Sequence, residues 1–349
     1  MRQPQSLFLC ATVALWLITA CTKPSPSSPA PHLVEQTFLS MGTELRLTAW
    51  TADEAGANAA FEAVFQEMDR LEALLSNWRP TSDVELLNAA AVKCPIRVSS
   101  DLRDVLRTAH QVSEWTGGKF DVTWGAMSGL WKFDYQNEDN TIPDQAQVAR
   151  RRKLIDYRRV VVDEDAGTAF IEREGMNVNL GGIGKGYAVD HARDILQRRG
   201  FHDFMIQFGG DMYVAGLQGD NMWRLGIQDP RGPGNRIFAQ IDLTDSTFST
   251  SGDYARSFVK NGKRYHHIID PDTGEPAAGC RSVTIVTSSA TIADGLSTGV
   301  FVLGPEAGMA LIQRLPGVEG VIVSSKNEVL VSDGIKGRLT VLSTPTDAP

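Results

Sequence analysis

Cysteine is scarce in this 349-residue chain, and none of its four copies has the spacing of a zinc site. Cys10 and Cys21 belong to the N-terminal apolar segment, which leaves Cys94 and Cys280 either to pair in an oxidising compartment or to stay as free, buried thiols. Long apolar runs are missing too: residues 7–21, LFLCATVALWLITAC, are too short to cross a bilayer as a mature helix. Positive charge is in deficit, with a formal net charge of −8, which argues against non-specific nucleic-acid binding. No fixed-period repeat is present, so a solenoid is excluded. Two nucleotide-binding signatures also fail. In NVNLGGIGKGYAVD (residues 177–190), the residue after Gly184-Lys185 is Gly186, so the hydroxyl of a Walker loop is absent. The dinucleotide spacing fails as well, because Tyr187 or Val189 stands where its last glycine belongs.

What is present at the N-terminus sets an expected location. Arg2 is the only charge before the apolar segment, which closes on Ile18-Thr19-Ala20-Cys21 and is followed by the Pro/Ser-rich TKPSPSSPAPH. Residues 1–20 therefore read as a lipoprotein signal and 21–33 as a lipidated Cys21 with its tether, leaving 34–349 as the folded domain. An ordinary secretory signal with a chance cysteine is the alternative. Thr22 follows the cysteine where no Asp stands, which fits the outer membrane. After signal removal, 33 lysines and arginines face 42 acidic residues.

Apolar spacing predicts helices over 52–77, with Thr51 as a possible cap, and over 100–115, stopped by Gly117-Gly118. Further helices are expected over 186–199, 291–303 and 305–314. A hairpin is expected around EDAG, between 158–163 and 168–174, and another at 319–332. Strand patterns cover 204–208, 211–216, 223–228, 237–243 and 281–288. The mixture lacks a regular βαβ repeat, so the expected class is α+β in one large two-lobed domain. NVNLGG and MIQFGG echo each other and suggest two strand-then-Gly-Gly corners.

Residues suited to chemistry lie in several segments. In SATIADGLSTGVFVLG (residues 289–304), Asp294 and Thr298 share a helical face and offer hard oxygens suited to Mg²⁺ or Ca²⁺; a polar stripe on a half-exposed helix is the alternative. His266 and His267 run into an Asp270-Pro271-Asp272 turn, where one of the pair should face inward and a histidine can act as a general base or hold a phosphate; two solvated loop residues are the alternative. Ser249, Thr250, Ser251 and Gly252 suit an anion at a corner after a short strand. Trp78 can stack on a flat ring or serve as core.

Eight stretches, SMGTELRL, SNWRPTSDVELLN, FDVTWG, NLGGIGKGYAVD, QFGGDMYVAG, STSGDYARSF, HHIIDPDTGEPA and ADGLSTGVFVLG, occur in the order seen in ApbE-type FAD:protein FMN transferases. The chain resembles that family from about Phe38 to its end. The resemblance implies a periplasmic, lipid-anchored enzyme that takes FAD as substrate and attaches FMN to a Ser or Thr of a target protein. Such targets are subunits of sodium-pumping quinone reductases and related electron-transfer complexes. It implies FAD contacts at Met41, Trp78, Lys119, Phe120, Asp121, Asn179, Lys185 and Ile269. It also implies Mg²⁺ held by Asp294, Thr298 and a backbone carbonyl, Gly182, with His267 helping to deprotonate the acceptor hydroxyl. Two positions depart from the family's DLGGIAKGY pattern: Asn179 stands in place of Asp, and Gly184 in place of Ala. A metal-dependent FAD pyrophosphatase and a non-catalytic FAD-binding lipoprotein are the competing expectations.

Overall fold

The computed structural model describes residues 29–133 and 140–348, so the signal, Cys21 and most of the tether lie outside the described residues. The helices are α1 (Glu54–Leu75), α2 (Asp83–Ala89), α3 (Ser100–Trp115), α4 (Gln145–Arg151), α5 (Gly184–Arg198), α6 (Ala290–Leu303) and α7 (Pro305–Arg314). An eight-stranded antiparallel sheet is ordered β1 (His32–Ser40), β2 (Thr43–Thr51), β6 (Phe204–Phe208), β7 (Asp211–Ala215), β10 (Ser246–Gly252), β13 (Cys280–Thr287), β14 (Glu319–Ser324) and β15 (Val329–Val331). Three smaller sheets join it. They are β8 (Trp223–Gln228) with β9 (Ile237–Leu243) and β16 (Leu339–Val341); β3 (Ile96–Arg97) with β4 (Val160–Asp163) and β5 (Thr168–Ile171); and the hairpin β11 (Ser257–Lys260)–β12 (Lys263–His266). This is the α+β class expected, in one domain.

Packing follows from the apolar patterns. On α1, Phe61, Val64, Met68, Leu71 and Leu75 recur at helical spacing and are buried against the large sheet and its neighbouring helices. β13 is buried along nearly its whole length because both faces of the sheet are covered there. Helix α6 lies on one face, while Trp223, Leu225, Ile227, Phe238 and Ile241 of the β8–β9 layer pack with Phe248, Val286, Val321 and Val323. The result is three layers: helices, large sheet, small sheet.

Several local expectations are corrected. Asp53, rather than Thr51, caps α1: its side chain accepts from the Gly56 N–H at 2.9 Å, and Thr51 Oγ1 accepts from Asp53 N–H instead. Residues 177–180 are not a strand, so only MIQFGG forms a strand-then-Gly-Gly corner. Ser249–Gly252 lie within β10, not after it. Cys94 is exposed and Cys280 buried, and both are free. Burial pushes the Cys280 thiol up to about 12, which leaves it inert at neutral pH.

The most consequential correction concerns the glycine-rich segment. Helix α5 begins at Gly184, so Lys185 and Gly186 sit in its first turn instead of a loop before it. None of Gly181, Gly182, Gly184 and Gly186 has a positive φ. Gly186 is required for a different reason: a Cβ there would stand 2.1 Å from the Ala290 carbonyl oxygen and 2.7 Å from Asp294 Cβ. Only a hydrogen lets α5 cross α6 this closely. At Gly184 the nearest atom to such a Cβ is 3.7 Å away. Gly186→Ala should therefore destabilise by about 3 kcal/mol or more, because the clash is with backbone. Gly184→Ala should be neutral or stabilising by up to about 1 kcal/mol. Urea denaturation midpoints of the two variants read the contrast, and equal effects would contradict the close crossing.

Candidate active site

The α5–α6 crossing organises the site. The Asp294 carboxylate, 5% exposed, accepts from Gly186 N–H at 2.9 Å and so caps the N-terminus of α5. In return Asp190 of α5 accepts from Ala290 N–H, Thr291 N–H and the Ser289 and Thr291 hydroxyls, at 2.7–3.0 Å, and caps α6. Each helix thus closes the other's open end. One turn beyond Asp294, Thr298 Oγ1 lies 3.2 Å from Ser251 Oγ of β10, and Ser251 Oγ is 2.8 Å from Ser297 Oγ. Gly182 faces the same place: a Cβ on it would lie 3.5 Å from Thr298 Oγ1 and 3.4 Å from the Phe120 ring. Carboxylate, hydroxyls and a glycine backbone therefore converge.

Lys185 enters from the first turn of α5. Its Nζ is ion-paired with Asp211 at the start of β7 and stands 3.8 Å from Asp294 Oδ2. Burial alone would push this ammonium down, but the Asp211 and Asp294 carboxylates outweigh it and hold it above the usual lysine range. Asp294 moves the other way. Burial, and then the neighbouring Asp211 charge, push its carboxyl well above the usual carboxylate range.

The walls come from distant segments tied by specific hydrogen bonds. Trp78 is 92% exposed, which removes the core alternative for it. The preceding Asn77 donates to Val178 O at 2.8 Å and accepts from Leu180 N–H at 3.2 Å, binding the tryptophan's loop to the glycine segment. Asn88 adds two bonds to Val178. Glu72 accepts from Met41 N–H at 3.0 Å and from Arg79 at 2.9 Å, so Met41 and the Trp78 loop share one strut. Asn179 Oδ1 accepts from Gly181 N–H at 2.9 Å. Lys119 bridges Asp270 and Asp272 at 2.8 and 2.9 Å, joining the Lys119–Asp121 segment to the turn after the histidines.

Two expected contacts have engaged side chains. Both oxygens of Asp121 are taken by Thr123 and by Tyr157 N–H, and burial raises this carboxyl to about 6. Ile269 packs in a satellite core with Met127, Trp131 and Tyr265. The histidine pair divides as expected: His266 is 3% exposed and bonded to Ala277 O, while half-buried His267 lies beside the Arg256 carbonyl. Burial, and then the charges of His266, Arg256 and Lys185, hold the His267 imidazole down to about 4.

Sequence reasoning missed Glu72, Asn77, Asn88, Asp190 and Asp211. Asn77 and Asn88 stand in SNWRPTSDVELLN, Asp190 closes NLGGIGKGYAVD and Asp211 follows Gly209-Gly210, so of the five only Glu72 lies outside the motifs already singled out. A second acidic group, Glu67, Asp101 and His191, lies on α1, α3 and α5. Arg70 donates to both of its carboxylates at 2.7–2.9 Å and Tyr187 to Asp101, so its carboxylate oxygens are already engaged by the protein itself. A polar cavity of about 440 Å³ borders Gly117, Gly118 and Asp121, but Asp294 and Lys185 do not line it.

Comparison with known proteins gives this arrangement its class. The chain matches the ApbE family over residues 41–322 and belongs to it. Among its relatives, the FAD:protein FMN transferase of Treponema pallidum is 33% identical over 320 residues, covering 87% of this chain and 88% of that protein. The FAD:protein FMN transferase of Klebsiella pneumoniae is 31% identical over 303 residues, covering 85% and 87%. The ApbE protein of Thermotoga maritima superposes with a TM-score of 0.79 at 31% identity, covering 87% of this chain and 98% of that one. The flavin transferase ApbE of Vibrio cholerae gives 0.78 at 26% identity, covering 88% and 99%.

Because Asn88 alone supplies the acceptor for Val178 N–H, Asn88→Ala should cost about 2 kcal/mol. Amide exchange at Val178 and Leu180 should accelerate while β13 stays protected. Unchanged exchange would separate Asn88 from the placement of the glycine segment.

Proposed function

We propose that this chain transfers FMN from FAD to a Ser or Thr hydroxyl of another protein, with Mg²⁺ as cofactor and AMP as leaving group. The observation that carries the reading is the convergence of Lys185, Asp294, Thr298 and Gly182 at the α5–α6 crossing. It is supported by membership in a family whose relatives are FAD:protein FMN transferases.

The donor set fits a hard divalent cation: the Asp294 carboxylate, the Thr298 hydroxyl and the Gly182 carbonyl would hold it. When bound, the cation supplies neutralisation of charge on the diphosphate oxygens. Lys185 adds a fixed positive charge beside them. Trp78, Met41, Phe120 and Asn179 would contact the FAD, and Lys119 anchors the turn that carries Asp270 and Asp272. Any contacts from Asp121 and Ile269 run through their backbone, because their side chains are already engaged. The acceptor oxygen bonds to the FMN phosphorus and the bond from that phosphorus to the bridging oxygen breaks. AMP takes the bonding pair, and the acceptor's proton passes to His267. No enzyme nucleophile takes part. Lipidation at Cys21 would place the domain on the periplasmic face of a membrane, beside quinone-reductase or related electron-transfer subunits as targets.

The test is incubation of the soluble domain with FAD, Mg²⁺ and a protein bearing an acceptor Thr. The expected result is a mass gain equal to FMN with release of AMP. Release of FMN and AMP to water alone would replace transfer by FAD pyrophosphatase activity, and binding without turnover would leave a flavin-binding protein. Asp294→Asn, which keeps an oxygen for Gly186 N–H, should abolish Mg²⁺-dependent turnover with the fold retained by circular dichroism; full turnover would sink the metal assignment. Since His267 is held near 4 instead of its usual 6.5, it is neutral, and able to accept a proton, at every pH above about 4. The acid limb of kcat/KM should therefore fall near pH 4. A limb near 6.5 that vanishes in His267→Gln would contradict this environment.

A further inference from the structure

We propose that Asp211 is a positioning residue for the cation site: it holds Lys185 away from Asp294, so that Asp294 stays available to a divalent cation. This rests on the reading of Asp294 and Thr298 as cation ligands.

Lys185 has two carboxylates within reach of one ammonium. It is ion-paired with Asp211 and stands off from Asp294 at 3.8 Å. A lysine closed onto Asp294 would occupy the charge a cation needs, so the outcome depends on which carboxylate wins. The structure favours Asp211 by construction. Asp211 is 1% exposed and lies in a sheet position fixed on both sides, paired with Phe208 of β6 and Ser249 of β10. Ser249 Oγ donates to Asp211 Oδ1, which leaves Oδ2 to Lys185. The preceding corner is equally constrained, since a Cβ on Gly210 would stand 2.8 Å from the Thr250 carbonyl oxygen. Asp294 has a different set of obligations. Its Oδ2 accepts from Gly186 N–H, and its Oδ1 accepts no hydrogen bond among the described residues. One carboxylate is thus oriented to keep the lysine, and the other retains an oxygen with no partner.

Removing the Asp211 charge leaves Asp294 as the nearest anion for a part-buried ammonium, and Lys185 should close onto it. The experiment is titration of the FAD-free protein with Mn²⁺, by calorimetry and by the electron paramagnetic resonance of free Mn²⁺. Asp211→Asn should weaken Mn²⁺ binding by about tenfold or more. Adding Lys185→Met to that variant should restore wild-type affinity, because the competitor is gone. Lys185→Met alone should bind Mn²⁺ at least as tightly as wild type. Ser249→Ala, which frees only Oδ1 and keeps the charge, should weaken binding by a smaller factor and carries the test if Asp211→Asn does not fold. Unchanged affinity in Asp211→Asn, or no rescue by Lys185→Met, would overturn the positioning role. If Asp294→Asn abolishes binding in the same titration, the cation site stands and only the role of Asp211 falls. If wild type binds no Mn²⁺, both fall.

Discussion

The reciprocal capping of α5 and α6 is the constraint on which the site depends. A helix end leaves backbone N–H groups without partners, and burying them unpaired costs free energy comparable to a lost hydrogen bond. Here each end is closed by a carboxylate from the other helix: Asp294 at Gly186 and Asp190 at Ala290 and Thr291. The arrangement needs a crossing so close that residue 186 can carry no Cβ. Fold and chemistry are therefore joined in Asp294. The same contact that ends α5 fixes where its carboxylate points, and Thr298 follows one turn later on the same face.

Charge then determines what the site takes in. Asp211, Asp294 and Lys185 together carry one excess negative charge in a mostly buried setting, and such a charge calls for a partner. The upward push on the Asp294 carboxyl has the same origin, with burial first and the Asp211 charge second. A divalent cation reverses the sign, turning a deficit of one into an excess of one. That excess suits a diphosphate, whose negative charge grows on the leaving oxygen as the anhydride bond breaks. On the proposed reading, a bound cation would complete the site's charge and make it attractive to the substrate. Half-buried His267 is kept neutral first by burial and then by the charges of His266, Arg256 and Lys185, so a base remains available.

What could be seen in the sequence is what depends on short range. The helices at α1, α3, α6 and α7 follow from apolar spacing within each segment. Asp294 and Thr298 follow from a separation of four on one helix. The hairpin partners of β4 and β5 follow from a turn between two β-rich runs. Glu72, Asn77, Asn88 and Asp211 could not be found this way, because their partners are distant in the chain: Asn77 meets Val178, and Asp211 meets Lys185 and Ser249. The glycine segment was half legible. Its expected part in a cation site came from the family resemblance alone. The physical reason for Gly186, an inter-helix approach, needs α6 to be present before it exists at all. Ser249–Gly252 looked like a corner because small hydroxyl residues favour turns, and cross-strand pairing with β13 and β7 overrode that preference.

Two carboxylate groups in this fold show why acidity alone does not make a metal site. Around Glu67 and Asp101, Arg70 offers a planar fork of donors that satisfies both acids at once, and Tyr187 and His191 fill remaining positions. Arginine keeps its charge at any relevant pH, so the group is closed: it holds α1, α3 and α5 together and has little oxygen left to offer. Around Asp294 the cation is a lysine, a point charge on a flexible stem, and it is drawn to a different acid. The hydroxyls of Thr298, Ser297 and Ser251 contact one another rather than Asp294's carboxylate. A site open to a ligand needs acids whose own protein partners are few, weak or diverted, and the choice between Arg70 and Lys185 separates the two cases.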